Sequence, residues 1–365
     1  MSDTVAGHEQ TPNTNFGFAI DVDGVLSKKT PLPHAMETLQ LLHSQGIPYC
    51  ILTNSGGVKD EDRAMALSKQ FNVPMSPEMV VQSHTPFLEV AGQYKGKCIL
   101  ALGGIANKVR EVARSYGFDH VVTSSDILTS VPNVWPFAEA TEAYHRANMQ
   151  PLPMGPDGSP MPISAIFIFA APRDWGLDLQ LIHDLLLSQG GRLGTRSAFN
   201  GNTTLPNNGF QQDGQPNIFF CNPDLEWATR YCEPRFAQGT FKSALEGIWA
   251  SDKPLGTRII NIYQCGKPTT ESYTCAERRL TLLQMKDGRG EPLQRVYMIG
   301  DNPASDIQGA NNYKSPRGIA WYSLLVATGV WEKGTTPEFT PTHSLDNVQD
   351  AVNFVLEREK YIIRE

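Results

Sequence analysis

The sequence predicts an α/β protein built on a parallel sheet, and three observations predict it. Apolar runs of strand length are continuous rather than alternating, as in "FGFAID", "PYCILTN", "KCILAL", "ISAIFIFA", "PNIFFCN" and "RVYMIGD". A strand that is apolar at successive positions is buried on both faces. Stretches with helical apolar spacing separate these runs, the alternation that a helix-covered parallel sheet requires. Two mid-chain stretches break the pattern: a Pro-rich 129–162 and an Asn/Gly/Gln-rich 199–217, both with the composition of loops in an inserted domain. The predicted arrangement is a core drawn from both ends of the chain, residues 1–83 and 229–365, with a second α/β domain, residues 84–228, inserted between them.

Taken in order, "FGFAID" is the first strand, and "HAMETLQLLHSQG" follows with Ala35, Leu39 and Leu42 on one helical face and Gly46 at the C-terminal stop. "PYCILTN" is the second strand. Within the insert, "KCILAL" leads into the helical "GIANKVREVARSYG", and "ISAIFIFA" into "LDLQLIHDLLLSQGG". "ALGGIANK" (Ala101–Lys108) lacks the full G-x-G-x-x-G of a dinucleotide fingerprint, so Gly103-Gly104 reads as a tight strand-to-helix turn. "PNIFFCN" and "RVYMIGD" are later strands, the last followed by the helical "ASDIQGANN".

The chain has 365 residues, 40% hydrophobic and 19% charged, with a formal net charge of −7 and no long run of Lys or Arg. That balance argues against nucleic acid or an anionic membrane as partner. No apolar stretch approaches the roughly 20 residues of a membrane span; the longest candidate, Ile163–Ala171, is strand-sized. The six cysteines show no C-x-x-C spacing and several sit in apolar runs, which fits a reducing compartment. The eight histidines form no H-x-H or H-x-x-x-H cluster, so zinc has no support. Residues 1–15 are polar, carry Asp3 and Glu9, and precede the first basic residue, Lys28. Neither a presequence nor a signal peptide has that composition, so the expected location is cytoplasmic.

In open α/β sheets, ligands bind at the carboxyl ends of the strands. The first strand ends in Asp21 and Asp23, and the second in Thr53-Asn54-Ser55-Gly56-Gly57. "VYMIGDNPASD" supplies Asp301 and Asp306, while Lys267 lies between Gly266 and Pro268 just before a helical stretch. Four close carboxylates repel unless a cation sits among them, and hard oxygen ligands on a rigid sheet edge suit Mg²⁺. Magnesium, a lysine and backbone N–H groups in one crevice make a site for a dianion, most naturally phosphate. One carboxylate can then attack phosphorus, and the other, two residues on, can protonate the leaving oxygen.

Each residue has a plainer reading in isolation. Asp21-x-Asp23-Gly24 alone is a capped turn, and as a calcium loop it fails because no acids follow at the required alternation. Thr53 alone is a turn residue and Lys267 a solvated one; only their company promotes them. Asn222 and Asp224 in "CNPDLEW" either cap the following helix or close over the substrate. His84 in "SHTPF" reads as a structural histidine, with a substrate contact as the sharper alternative.

In chain order, "DVDGVL", "ILTNSGG", "GKPT" and "GDNPASD" resemble the four motifs of the haloacid dehalogenase (HAD) superfamily. An insert after the second motif and before the third resembles the capped class II type, subclass IIA. "VVQSHTPF", "FFCNPDLEW", "EPRFAQGTFKSALE" and "SDIQGANNY" resemble the cat-eye-syndrome-critical-region-protein-5-like branch, over most of residues 16–332. The resemblance implies a Rossmann-like core with a C2-type cap and assigns roles residue by residue. Asp21 is the implied nucleophile and magnesium ligand, and Asp23 the general acid/base with its carbonyl on the metal. Thr53 and the backbone around Asn54 and Ser55 hold the phosphoryl group, and Lys267 steadies Asp21 and the developing charge. Asp301 and Asp306 complete the metal site. Superfamily dehalogenases lack the second acid that Asp23 provides, so the implied reaction is hydrolysis of a small phosphomonoester. A phosphotransferase or lipid-phosphate enzyme would use the same site, and a binding or scaffold protein would keep the fold with little turnover. The resemblance also implies a homodimer through the cap, and a mitochondrial alternative to the cytoplasm. Two departures bear on the substrate: subclass IIA relatives usually carry Gly-Ala where this chain has Pro33-His34-Ala35, and its Pro-rich and Asn-rich stretches exceed the usual cap.

Overall fold

The computed structural model describes residues 14–227, 231–286 and 291–364, so most of the polar leader lies outside the described residues. The chain forms two compact units, one from the described parts of Met1–Thr53, Asp60–Val81 and Pro268–Glu365, the other from Asn54–Lys59 and Gln82–Lys267.

The first unit is built on a six-stranded sheet. Its strands stand in the order His343–Leu345, Ala320–Val326, Arg295–Gly300, Phe16–Ile20, Tyr49–Leu52, Val80–Val81. Every pairing is parallel. Successive side chains of the first strand go to opposite faces. Phe16, Phe18 and Ile20 join a cluster with Leu39 and Leu42 of the Ala35–Ser44 helix and with Val352 and Val355 of the Val348–Arg358 helix. Ala19 faces the other way, with Tyr273, Ala276 and Leu280 of the Thr270–Lys286 helix. Helices on both faces explain why "FGFAI" is apolar at every position and buried throughout.

The second unit repeats the plan with five parallel strands, in the order Ile262–Gln264, Asn217–Phe220, Ile163–Ile168, Cys98–Leu102, His120–Val122. Ile166 and Ile168 pack with Leu177, Leu181 and Leu185 of the Trp175–Leu187 helix and with Phe241 and Leu245 of the Gln238–Asp252 helix. Ala165 and Phe167 pack on the opposite face with Val109, Val112 and Ala113 of the Lys108–Ser115 helix.

The expected insert, residues 84–228, and the main segment of this unit, Gln82–Lys267, begin within two residues of each other but end apart, and the unit also takes in Asn54–Lys59. The strand Ile262–Gln264 adds in parallel to Asn217–Phe220, and Trp249 of the intervening helix is buried in the same cluster as Ile218. Both bind 231–267 to the insert rather than to the first unit. That strand is short and only partly buried, so it left no apolar run to read.

Two turns take left-handed backbone. His34, at the start of the Ala35–Ser44 helix, is left-handed (φ 67°, ψ −3°), which costs a side-chain-bearing residue and which glycine adopts freely. Gly103 (φ 97°) makes the tight strand-to-helix turn expected of "ALGGIANK", with its Cα close against the backbone of Ala170.

Candidate active site

In the first unit, strands Phe16–Ile20 and Arg295–Gly300 pair in register from Phe16↔Arg295 to Ile20↔Ile299, so both end at the same edge. Asp21 leaves the sheet there, its N–H donating to Ile299 O at 3.0 Å. Asp301 directly follows Gly300, and Asp306 comes next in a π-helical turn, Pro303–Ile307. The carboxylates of Asp21, Asp301 and Asp306 each offer an oxygen, all within 4.8 Å of one another. All three residues are buried, at 7%, 2% and 0% exposure, where unscreened charge is costly without a counter-ion.

The chain holds these acids firmly. Asp306 Oδ2 accepts from the Asn302 N–H at 3.0 Å, and Val330 N–H donates to Asp301 Oδ2 at 2.6 Å. Gly24 (φ 87°) lies so near that a Cβ on it would stand 2.5 Å from Asp301 Oδ2. Tyr273 donates to Asp306 O at 2.9 Å; burial, with the charges of Asp306 and Asp21, holds its phenol well above the ordinary range. Asp23 is exposed and is not one of the three clustered acids. Thr53, buried at the end of Tyr49–Leu52, donates its N–H to Val81 O at 3.0 Å.

In the second unit, Asn54 and Lys267 are brought together although 213 positions apart. The Lys267 N–H donates to Asn54 Oδ1 at 2.7 Å, and Asn54 Nδ2 donates to Lys267 O at 3.0 Å and to both Asp224 oxygens at 3.1 Å. Asn222 Nδ2 donates to Asn54 O at 3.1 Å, while Asn222 Oδ1 accepts from the Asp224 N–H at 2.7 Å. Ser55 O accepts from the Ser83 N–H at 3.3 Å. A Cβ on Gly56 would lie 2.7 Å from Ser83 Oγ and 2.8 Å from His84 Cδ2, so only glycine lets the loop sit that low.

Residues 18–119 match the haloacid dehalogenase-like hydrolase family, and residues 264–351 match the HAD-hydrolase-like family. A mitochondrial hydrolase of Saccharomyces cerevisiae is 34% identical over 371 residues, spanning 96% of this chain and 97% of the yeast protein. The chain belongs to the haloacid dehalogenase-like hydrolases. A Schizosaccharomyces pombe protein described as a cardiolipin synthase (CMP-forming)/mitochondrial hydrolase fusion is also 34% identical, over 359 residues. The match takes in 97% of this chain but 55% of that protein, so the chain spans about half its length. Among solved structures, a hypothetical protein of Pyrococcus horikoshii OT3 shares the fold with a TM-score of 0.60 and 16% identity, over 93% of this chain and 99% of that one. The p-nitrophenyl phosphatase of Archaeoglobus fulgidus does so with a TM-score of 0.58 and 15% identity, over 94% and 100%.

The haloacid dehalogenase motifs thus fall into two structural groups: Asp21, Asp301 and Asp306 gathered at one sheet edge, and Asn54 and Lys267 clasped in one loop pair. For Asn222 and Asp224 the sequence offers helix capping or substrate contact; the contacts show a third use, holding Asn54 and through it Lys267. His84 is fully buried, with Nδ1 2.8 Å from the Tyr116 hydroxyl and its ring against Phe169, a structural histidine under the glycine loop. Sequence reasoning misses Gln238 altogether: its Oε1 accepts from the Asn222 N–H at 2.9 Å.

Proposed function

We propose that this haloacid dehalogenase-like hydrolase is a Mg²⁺-dependent phosphatase that cleaves a small phosphomonoester through an aspartyl-phosphate on Asp21. The observation that carries the reading is the meeting of Asp21, Asp301 and Asp306 at one sheet edge. The donor set fits Mg²⁺: three buried, hard carboxylate oxygens whose mutual repulsion a divalent cation relieves. Asp21, Asp301 and Asp306, with the backbone carbonyl of Asp23, would hold the ion, and when bound it draws negative charge off the phosphoryl oxygens.

The remaining chemistry belongs to the side chains. Asp21 attacks phosphorus as the ester oxygen departs with its electron pair, and Asp23 supplies that oxygen's proton. Water then attacks the phosphoryl group on Asp21, Asp23 takes the water's proton, and inorganic phosphate leaves with the Asp21 carboxylate restored. Thr53 and the Asn54–Ser55 backbone are assigned to the phosphoryl oxygens and Lys267 to the charge that develops on them. The clasp on Lys267 supports that role, since a fixed peptide narrows where its ammonium can go. A homodimer through the second unit is part of the proposal, testable by light scattering.

A second reading places the phosphate on a lipid. The S. pombe relative combines a hydrolase with a cardiolipin synthase, and joining a hydrolase to an enzyme of phospholipid synthesis favours a lipid phosphomonoester. The word mitochondrial in both relatives' descriptions favours the mitochondrial alternative over the cytoplasmic expectation. No helix among the described residues is long and apolar enough to cross a membrane. One experiment addresses both readings: phosphate release from soluble phosphomonoesters and from phosphatidic acid in mixed micelles, with and without Mg²⁺, for wild type and Asp21→Asn. Mg²⁺-dependent release that disappears in the variant supports the mechanism, and the better substrate class chooses between the readings. Release that survives Asp21→Asn would overturn the covalent route.

A further inference from the structure

Gln238 is the first residue of the Gln238–Asp252 helix, and at 1% exposure it is sealed from water. A buried side-chain amide needs partners for both its oxygen and its nitrogen, and Gln238 finds them where two strands of the second unit stop. The parallel ladder between Ile163–Ile168 and Asn217–Phe220 ends at the pair Ile168↔Phe220. Past that pair, Gln238 Nε2 donates to Ile168 O at 3.2 Å, and Oε1 accepts from the Asn222 N–H at 2.9 Å. The side chain adds a rung to the sheet, its amide pairing both strand ends as a peptide group would. Nε2 also donates to Cys221 Sγ at 3.4 Å.

That rung fixes where Asn222 leaves the sheet, and Asn222 hands the placement on. Its Nδ2 donates to Asn54 O at 3.1 Å. Its Oδ1 accepts from the Asp224 N–H at 2.7 Å, so the same residue places the carboxylate that holds Asn54 Nδ2 at 3.1 Å. Asn54 in turn takes the Lys267 N–H at 2.7 Å and donates to Lys267 O at 3.0 Å. An unbroken path of hydrogen bonds therefore runs from the helix-start amide of Gln238 to the Lys267 peptide, and every residue on it belongs to the second unit.

We propose that Gln238 is a positioning residue for Lys267: by fixing the Asn222 peptide it holds, through Asn54, the backbone that aims the lysine. The inference rests on the phosphatase reading for what Lys267 does, and goes beyond it by assigning part of the control of the lysine to a helix outside the four motifs. Methionine at 238 would keep the length of the side chain and remove its bonds, leaving the Asn222 N–H and Ile168 O unmatched in a dry site, so that the segment relaxes and Lys267 with it. A lysine that acts on charge developing during the reaction shows its misplacement in kcat rather than in KM.

The test pairs a rate measurement with one that needs no turnover. Hydrolysis of p-nitrophenyl phosphate with Mg²⁺ is followed for wild type, Gln238→Met, Asn54→Ala and the double variant. Gln238→Met should lower kcat about 10-fold or more with KM nearly unchanged. In the Asn54→Ala background the same substitution should cost about 2-fold or less, because links of one chain of contacts do not add. An equal loss in both backgrounds, or a loss confined to KM, would overturn the assignment. Amide hydrogen exchange is read at Asn222 and Lys267, with Leu181 of the Trp175–Leu187 helix as the reference in the same unit. Gln238→Met should speed exchange about 10-fold at both with Leu181 unchanged, and no gain at Lys267 would equally overturn it. Gln238→Glu keeps an oxygen for the Asn222 N–H and should fall between wild type and Gln238→Met in both readouts; it carries the comparison if Gln238→Met does not fold. Wild type that releases no phosphate would count against the phosphatase reading alone, since exchange still judges whether Gln238 holds Lys267.

Discussion

Replacing Gly329 with alanine tests the proposed metal site through a single added methyl. An alanine Cβ at 329 would stand 2.6 Å from the Asp301 Cβ, and closer still to its carboxylate, where real Cβ atoms essentially never come within 3.0 Å. The Asp301 Cβ must retreat by at least 0.4 Å (from 2.6 to 3.0 Å), and the carboxylate by more. Magnesium tolerates deviations of only about 0.2 Å from its ligand distances, so Asp301 cannot make that retreat and still serve as a ligand. The same shift strains the Val330 N–H bond to Asp301 Oδ2, now 2.6 Å, which as a bond to a charged acceptor contributes about 1.5–3 kcal/mol. The expected result is a rise of about 10- to 100-fold in the Mg²⁺ concentration that half-saturates phosphate release, with cooperative unfolding retained. Gly247→Ala is the control. Its helical position has open space around it, so the same methyl should stabilise by about 0.4–1 kcal/mol and leave the Mg²⁺ dependence alone. A Gly329→Ala protein with the wild-type Mg²⁺ midpoint would refute the placement of Asp301 as a metal ligand.

Three further outcomes are expected. Burial pushes the Asp178 carboxyl up to about 7 from 3.8, with Asp174 adding to the rise and the Ser124 hydroxyl opposing it. The native state therefore keeps a proton that the unfolded chain releases, and stability falls as pH climbs from about 4 to about 7, by about 4 kcal/mol at most. Urea unfolding of Asp178→Asn should lack that fall and show the variant ahead of wild type at pH 8; parallel pH profiles would contradict it. His34→Gly should leave stability unchanged or raise it by up to about 1 kcal/mol, the left-handed strain relieved less the chain entropy glycine adds; a lower melting temperature would count against strain at that turn. Asn54→Ala removes the clasp on Lys267 and should slow phosphate release by about 10-fold or more, whereas an unchanged rate would mean that the clasp plays no part in positioning the lysine.

The first strand and the acids that end it were legible because their cause is local. A doubly covered parallel strand must be apolar at every position, so the break at Asp21 stands out in one dimension. Asp301 and Asp306 were legible for the same reason, coming after the buried run Val296–Gly300. Strand ends of a parallel sheet share an edge, so three acids far apart in the chain could be expected to meet. His34 shows where that reading stopped short. The departure from Gly-Ala was visible in the letters, but its meaning, a left-handed backbone, lies in torsion angles that the letters do not carry.

Partner choice among polar groups was beyond the sequence. Asn54, Asn222, Asp224, Gln238 and Lys267 could each have served a cap, a turn or solvent, and only their convergence on one loop pair chose otherwise. The strand Ile262–Gln264 is held by its neighbour rather than by its own hydrophobicity, so the end of the insert became visible only in the pairing. Arg63 is the extreme case: in sequence it is one charge among several on a polar helix, and only in three dimensions is its Nε enclosed without a partner among the described residues. Apolar burial writes itself into the sequence as a period, because every residue of an element feels it. A hydrogen bond between residues hundreds of positions apart leaves no period, and is decided when the chain has closed around it.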